Sequence, residues 1–435
     1  MNKLKSLALG ALLFSASSAP LFAMDLSGVY QLASEQDVQL MIARSQLDAT
    51  RYTLPQAQSA NKPQVNLSDS ASYIDKQSSA LPDDRQTVAG YNLSLTQSLY
   101  NRKTSAQADA ADANIQKAEA ELRAAEQSLL VRVTEAYFNI LKAQDTVAFA
   151  EAEKNAIGRQ LEQAKKRFEV GLIAITDVKE AQASFDSSLS QEIIAINGLD
   201  NAREALAVII GRTLHETLAP LGDDLMLQLP ENSNDWVEQA LQNNLNILAA
   251  QAALKAANEN RRIARSDKGP TVNFVASYAG NNVDSDNFGF SDGNDLTLSL
   301  QLNMPLYTGG RTSSTISKAE ADYTTAQNNV LLQKRLTAQQ TRTAYLAVVS
   351  GIGQVKALKQ VLASSQAALE ATEAGFDVGT RTSVEVLNSL RNTYRAKRDY
   401  ASARYDFLIN TLKLKQAAGL LTEQDLQGIN QWLQQ

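Results

Sequence analysis

The segment LTLSLQLNM, residues 296–304, alternates apolar and polar side chains without a break. A period of two predicts a β-strand with one apolar face and one face of hydroxyl and amide groups. The apolar face carries Leu296, Leu298, Leu300, Leu302 and Met304, and the polar face carries Thr297, Ser299, Gln301 and Asn303. Residues 65–73, 91–96 and 272–278 show the same period, interrupted only at Asp69 and Val275. The sequence therefore predicts four amphipathic strands.

These strands connect directly to long helical segments, and the sequence offers no further element to cover their apolar face. If lipid covers it, every strand edge must be paired and the sheet must close. One chain supplies four strands, whereas outer-membrane barrels have eight or more, so closure needs at least two chains, and three would give twelve strands. The polar face would line a water-filled pore, with loops 75–90 and 280–294 as extracellular tips. Four tyrosines lie at or near the strand ends, where a membrane β-barrel has its aromatic girdle at the lipid interface: Tyr73, Tyr100, Tyr278 and Tyr307. A half-buried sheet packed on helices would alternate in the same way.

The chain repeats itself. RFEVGL (167–172) reappears as GFDVGT (375–380), and 375 minus 167 gives an offset of 208 residues. Further pairs at an offset of 207 or 208 are Pro63 with Pro270, Tyr100 with Tyr307, and Ala136-Tyr137 with Ala344-Tyr345. Chance similarity among Ala-rich helices explains a likeness in composition but not a constant offset. We therefore predict a tandem duplication over most of the chain.

Each repeat has the same predicted order: a helix, two strands, a very long helix and a return helix. The first repeat has its helix at about 28–61, strands at 65–74 and 88–100, the long helix at 102–170 and the return helix at 176–211. The corresponding segments of the second are 235–265, 271–280 and 295–307, 312–375, and 383–418. Candidate N-caps of the first helices are Asp25 or Ser27, and Asn234 or Asp235. Gly171 and Gly379 suit the left-handed position after a helix.

The long helices greatly exceed the size of a globular domain, because about 65 residues at 1.5 Å each span roughly 100 Å. Their apolar stripe is narrow and recurs at steps of three and four residues, with Ala, Leu and Val predominating. An example is Leu129, Val133, Ala136, Ile140 and Ala143. This pattern is typical of coiled coils in which small residues allow close helix approach. A soluble helical bundle would show the same pattern.

Residues 1–23 have a basic start, a short apolar run and small residues up to Ala23. They are predicted to be a secretory signal peptide, since the apolar run is too short to span a bilayer. A disordered or anchoring N-terminus is the alternative. Without Lys3 and Lys5 the chain has 39 basic and 47 acidic residues, a net charge of about −8. An acidic exported chain is a poor candidate for nucleic-acid binding.

Composition excludes several kinds of site. The chain has one His and no Cys, so disulfides, thiol chemistry and clusters of Cys and His ligands are ruled out. Gly289 to Gly293 match the G-x-S-x-G pattern around Ser291, but that motif needs a helix after it and a histidine in the fold. His215 lies far away in a linker, so a hairpin tip is the preferred interpretation. We predict no cofactor, no metal site and no catalytic residue.

At this level of detail the chain resembles the TolC-type outer-membrane efflux family over essentially its whole mature length. The resemblance is carried by AYFNIL (136–141), RFEVGLIAITDV (167–178), MPLYTGGR (304–311), AGFDVGTRTSVEVL (374–387) and ARYDFLINTLKLKQAAGLL (403–421). It implies a mixed fold, in which a homotrimer forms a 12-stranded membrane β-barrel continued by a 12-helix periplasmic tunnel. It also implies repeats at 24–220 and 234–419, with segments 221–233 and 420–435 contributing to a belt around the middle of the tunnel.

The same resemblance implies a passive exit channel in the outer membrane, serving efflux pumps or type I secretion. Its partners would be outer-membrane lipid, a periplasmic adaptor (membrane fusion) protein, and an inner-membrane pump or ABC exporter. The adaptor would dock at the helix turns, on Gly171, Leu172, Gly379 and Thr380. The alternatives are an exported coiled-coil scaffold or adhesion protein without transport activity, and an exported hydrolase using Ser291.

The family's gate lies at and just after these turns. The matching residues are Thr176, Asp177, Phe376 and Arg381, with Asp177 and Arg381 forming a charge-assisted pair. The family usually has Tyr where Phe376 stands, so one hydrogen bond of the gate would be missing. Glu385 and Asn388 match the family's acidic constriction. Since Asn388 is neutral, a trimer would present three carboxylates there instead of six, which weakens the expectation of cation selectivity.

Overall fold

The computed structural model describes residues 23–77, 83–214, 216–222, 225–230 and 232–433. The first repeat contains α1 (Leu26–Gln36), α2 (Val38–Arg51), α3 (Thr53–Ser59), β1 (Gln64–Lys76), β2 (Asp84–Tyr100), α4 (Arg102–Glu169) and α5 (Ile175–Ile210). The second contains α6 (Ser233–Asn243), α7 (Leu245–Ser266), β3 (Thr271–Ser285), β4 (Gly289–Asn303), α8 (Arg311–Asp377) and α9 (Ser383–Ala417), and α10 (Glu423–Asn430) follows. Residues 1–22, which make up most of the predicted signal peptide, and His215 lie outside the described residues.

The strands are longer than the sequence pattern predicts. Most of the predicted loops 75–90 and 280–294 is strand, because β2 begins at Asp84 and β3 continues to Ser285. At its other end β4 stops at Asn303, short of the predicted 307. Towards the hairpin ends the apolar and polar residues of these strands no longer alternate regularly, so the sequence pattern does not indicate a strand there. Backbone pairing nevertheless continues there, as in Ser72 opposite Val88.

The predicted first helix of each repeat is broken by an Asx cap. Asp37 ends α1 and caps α2, its Oδ1 accepting from the amide of Leu40 at 2.7 Å. Asn244 occupies the equivalent place in the second repeat, 207 residues later, and accepts from the amides of Asn246 and Ile247. Asp25, one of the two predicted candidates, caps α1. The cap of α6 is Asn232, rather than Asn234 or Asp235.

The four strands form one antiparallel sheet in the order β1-β2-β3-β4, and the pairing of β2 with β3 joins the two repeats. The register aligns the apolar faces of all four strands. One row across the sheet consists of Val65, Leu95, Ala276 and Leu298. This face is uncovered in the protomer, with Leu298 64% and Leu302 71% exposed. The outer edges of β1 and β4 pair with no described strand.

Two long hairpins, α4–α5 and α8–α9, form the shaft. At 68 residues α4 is about 100 Å long. Each hairpin turns through a Schellman motif, in which the glycine after the helix adopts the left-handed backbone conformation. In the first, Gly171 has φ 77° and the amide of Leu172 donates to the carbonyl of Arg167; in the second, Gly379 has φ 80°. By length and composition α8 contains a stretch apolar enough to cross a membrane, but its 67 residues make it a shaft helix.

The main core lies around the middle of the shaft, where the AYFNIL motif packs. Tyr137 and Phe138 are fully buried, and Phe138 stacks on Tyr405 of α9. The hydroxyl of Tyr137 donates to the carbonyl of Ala219 at 2.8 Å. Two bridges bring further segments to the same region: Met24 pairs with Leu218, and Leu221 pairs with Leu433. These contacts hold the connecting segments against the middle of the shaft.

Candidate functional site at the hairpin tips

The two repeated turns touch each other within one protomer. Arg167, in the last turn of α4, lies over the ring of Phe376 with its guanidinium carbon 4.2 Å from the ring centroid. The same guanidinium is 3.7 Å from the carboxylate of Asp377. Phe376 is only 8% exposed, whereas its equivalent in the first repeat, Phe168, is 41% exposed. No sequence motif indicates Arg167 as a site residue.

Glu385 stabilises the beginning of α9. Its carboxylate accepts from the amide of Thr382 at 2.8 Å, from the Thr382 hydroxyl at 3.0 Å and from Arg381 at 2.7 Å. The Thr382 hydroxyl accepts in return from the amide of Glu385, which completes a capping box. The Thr382 amide and the Arg381 guanidinium lower the pKa of Glu385 to about 2. This carboxylate is therefore ionised throughout the physiological pH range.

Asp177 is the equivalent of Glu385 in the first repeat, at an offset of 208. Its helix begins after Ala174, which has no side-chain oxygen, so α5 has no side-chain cap. Among the described residues of the protomer, no ion pair involves Asp177, and Arg381 pairs with Glu385 instead. One protomer therefore does not bring Asp177 and Arg381 together, and their pairing stays a prediction. The neighbouring Thr176 is exposed.

The outer surface of both turns is apolar. Val170, Leu172 and Val378 are 69%, 72% and 76% exposed. They flank Gly171 and Gly379, the glycines with positive φ at which the two hairpins turn at the end of the shaft. The next residue, Thr380, directs its hydroxyl back to the carbonyl of Gly375.

The helices above the tips are held by a small apolar cluster that α4, α5 and α9 share. Its members are Ala156, Ile157, Leu161, Ala164, Ala181, Leu387 and Leu390. Asn388 is exposed on α9, one turn beyond Glu385, which is half-buried. The cluster fixes α9 beside α4, so that residues at the beginning of α9 have a defined position at the end of the shaft.

The rejected catalytic motif has no matching structure around it. Ser291 is exposed near the beginning of β4, close to the hairpin turn and opposite Val283. The segment after it continues as β4, whereas a nucleophile elbow leads into a helix. The geometry at Ser291 is that of an extended hairpin.

An uncovered apolar sheet, open at both edges, on a 100 Å helical shaft defines a class of protein, the subunit of an outer-membrane export channel. The chain belongs to the outer membrane efflux protein family, whose sequence pattern matches residues 29–212 and 236–420. The two matched stretches correspond to the two repeats. The chain is accordingly located in the outer membrane.

Individual relatives agree with this assignment. The chain is 39% identical to outer membrane protein TolC of Vibrio cholerae, covering 99% of this chain and 98% of the relative. It is 27% identical to the alkaline protease secretion protein AprF of Pseudomonas aeruginosa, covering 93% and 86% of the two chains. The fold is similar to that of the Campylobacter jejuni CmeC outer membrane channel, with a TM-score of 0.80 and 15% identity over 100% of this chain and 98% of that one.

Proposed function

We propose that this chain forms a homotrimeric exit channel through the outer membrane and the periplasm. The observation that carries the proposal is the apolar face of the sheet, which no described part of the chain covers. Lipid can cover that face only if the edges of β1 and β4 are paired, because an unpaired backbone is costly in a bilayer. Three copies supply twelve strands and, with four shaft helices each, a tunnel of twelve helices.

Transport through such a channel is passive, and partners supply its energy. The exposed Val170, Leu172 and Val378 offer an apolar docking surface around Gly171 and Gly379 for a periplasmic adaptor. An inner-membrane pump or ABC exporter would act behind the adaptor. The names of the two relatives associate this architecture with outer-membrane and protease-secretion roles. We accordingly assign the chain a transport role and no enzymatic activity.

In the closed channel, Asp177 of one protomer would pair with Arg381 of the next. Arg381 has five N–H donors, and the described contact with Glu385 uses Nη1. Since Ala174 offers the Asp177 carboxylate no capping hydroxyl, that carboxylate can accept hydrogen bonds from the Arg381 N–H groups that Glu385 does not use. Arg381→Ala and Asp177→Ala should each raise single-channel conductance, while Lys179→Ala serves as the exposed control on α5. Unchanged conductance in both variants removes the pair from the gate.

The acidic constriction at Glu385 and Asn388 is weak in this chain. Arg381 neutralises much of the charge of Glu385 at the same tip, so cation preference should be modest. Glu385→Gln would leave Arg381 unneutralised and shift the reversal potential towards anion preference. Because the pKa of Glu385 is about 2, the wild-type potential should not titrate between pH 4 and 8. If the reversal potential of Glu385→Gln equals that of the wild type, the constriction does not lie at Glu385.

The proposal as a whole is tested by purifying the mature chain from outer membranes in detergent. We expect a particle with three copies of the chain that inserts into planar bilayers and conducts ions. Leu298→Arg, on the apolar face, should abolish insertion, whereas Ser299→Arg, on the polar face, should retain it. A mature chain that stays monomeric and soluble without detergent would instead support an exported scaffold and overturn the channel.

A further inference from the structure

The two repeated turns have the same backbone conformation, but the arginine lies before the turn in the first repeat and after it in the second. In the first repeat the arginine is Arg167, before the turn, and the residue after the turn is Ile173. At an offset of 208, the second repeat has Gly375 before the turn and Arg381 after it. Both turns close with the same hydrogen bond, from Leu172 to Arg167 and from Thr380 to Gly375. The difference between them is thus confined to side chains.

In the second repeat, a side chain at position 375 is sterically incompatible with the observed position of Arg381. A Cβ added to Gly375 would lie 2.7 Å from Cγ of Arg381, so the Arg381 side chain fills the space that residue 375 leaves empty. An arginine at position 375 would therefore require the Arg381 side chain to move. The arginine of the first repeat lies on the helical side of its turn, and from there it reaches across to the other hairpin.

Arg167 makes both of its described side-chain contacts with the opposite turn. The guanidinium lies 4.2 Å from the ring centroid of Phe376 and 3.7 Å from Asp377. A cation over an aromatic ring is attracted by the negative charge on the ring face, out to about 6 Å from the centroid. The ring is 8% exposed, so the contact is largely shielded from water. The first repeat's equivalent of Phe376 is Phe168, and the second repeat's equivalent of Arg167 is Gly375. Phe168 therefore has no arginine at the matching position of the opposite turn, and its side chain is 41% exposed.

We infer that Arg167 is a latch that holds the tips of the α4–α5 and α8–α9 hairpins of one protomer together in the closed channel. The inference rests on the proposed function and adds a contact within the protomer to the gate between protomers. A displacement of one tip by more than about 2 Å takes the guanidinium out of range of the ring. The tips cannot separate without breaking the latch. Arg167 is a positioning residue, since it acts on the gate through Phe376.

The latch also changes the expectation for Phe376. A tyrosine hydroxyl is missing there, but the face of the ring already has a cationic partner. Phe376→Tyr keeps the ring, and therefore should leave the latch intact. Phe376→Leu keeps an apolar side chain and removes the ring, and should open the latch as far as removing Arg167 does.

The test is single-channel recording of the full trimer in planar bilayers. Arg167→Gln should raise the open population roughly 5- to 30-fold, the change that loss of a contact of this class produces in a two-state equilibrium. Arg167→Lys retains a cation and should lie between wild type and Arg167→Gln. The matched control is Lys165→Gln, since Lys165 pairs with Glu162 on its own helix. Trimers of equal heat stability show that each variant folds.

The double variant Arg167→Gln with Phe376→Leu decides whether the two residues act together. In a latch, the double variant opens no further than either single variant. Wild-type conductance in Arg167→Gln, or effects of the two single variants that simply add, would overturn the latch. Either result would leave the proposed function in place as long as the wild type conducts. Absence of any channel in the wild type would overturn the proposed function itself.

Discussion

Replacing Arg132 should destabilise the middle of the shaft, because it leaves a buried carboxylate unpaired. The guanidinium of Arg132 binds Asp37 through two hydrogen bonds of 2.9 and 3.0 Å. Asp37 is 3% exposed and also caps α2 through the amide of Leu40. Arg132→Gln removes the cation and keeps a polar side chain of similar reach. Asp37 then has the amide of Leu40 but no opposite charge.

The magnitude follows from the burial of the pair. Breaking a buried ion pair from one side costs about 3–5 kcal/mol. The Arg132 side chain is 25% exposed, so water reaches the site and the lower value, about 3 kcal/mol, applies. Unfolding entropy is about 2.1 cal/mol/K per residue, and without the predicted signal peptide the chain has roughly 410 residues. If the chain unfolds as one unit, Arg132→Gln should lower its Tm by about 3–4 °C.

The second repeat provides the control. There Asn244 takes the place of Asp37, and Gln340 takes the place of Arg132 at an offset of 208. A neutral amide caps the helix as well as a carboxylate does. The double variant Asp37→Asn with Arg132→Gln copies this neutral arrangement and should remain within about 1 kcal/mol of wild type. We expect Arg132→Gln alone to be the least stable member of the cycle.

Thermal unfolding of the detergent-solubilised trimer measures these differences, and their pH dependence tests the charge. Burial raises the pKa of Asp37, but Arg132 and the amide of Leu40 outweigh it and hold the pKa below 3.8. The contribution of the pair is therefore complete above pH 3.8 and is lost as the pH falls through the lowered pKa. An Arg132→Gln chain as stable as wild type, or a double variant as unstable as Arg132→Gln, would refute the reasoning.

Three further predictions concern other parts of the chain. Leu298→Arg should cost about 2–4 kcal/mol and reduce the membrane-inserted fraction, whereas Ser299→Arg should not. Tyr405→Phe removes the 2.7 Å hydrogen bond to Asp145, whose pKa burial raises, and should cost about 1.5–3 kcal/mol at pH 7. That loss should shrink on acidification, since protonation removes the buried charge; a pH-independent loss contradicts the assignment. Gly419→Ala should lower Tm measurably, because φ is 73° and the new Cβ would lie 2.3 Å from a backbone carbonyl oxygen.

The sequence predicts elements whose physical cause is local. The alternation of Leu296 to Leu302 specifies a strand because each residue contributes independently to one face. Gly171 and Gly379 specify the turns because only glycine adopts positive φ without strain. The breaks at Asp37 and Asn244 were missed although Asx caps are local signals. The segments on both sides of each cap are helical, and the prediction joined them into one helix.

The candidate site is harder to predict, because its contacts depend on how the two hairpins pack. Arg167 and Phe376 are separated by 209 residues, and nothing in RFEVGL indicates which ring its arginine would cover. Glu385 was predicted as a constriction residue by resemblance, and the capping pattern of Thr382 with Glu385 was present in the sequence but overlooked. Glu385 thus satisfies a local capping rule, and its place at a constriction stays a separate prediction.

Divergence between the repeats has a physical consequence for gating. In a ring of alternating hairpins, each hairpin contacts its own protomer on one side and a neighbouring protomer on the other. If the repeats were identical, both contacts would be the same and no seam would open before another. Here the exchange of Arg167 for Gly375 gives the contact within the protomer a cation over a shielded ring. In the proposed gate the contact between protomers is left to Asp177, which is half-buried, and Arg381, which is exposed, so water and salt screen it. An applied load should therefore open the seams between protomers first.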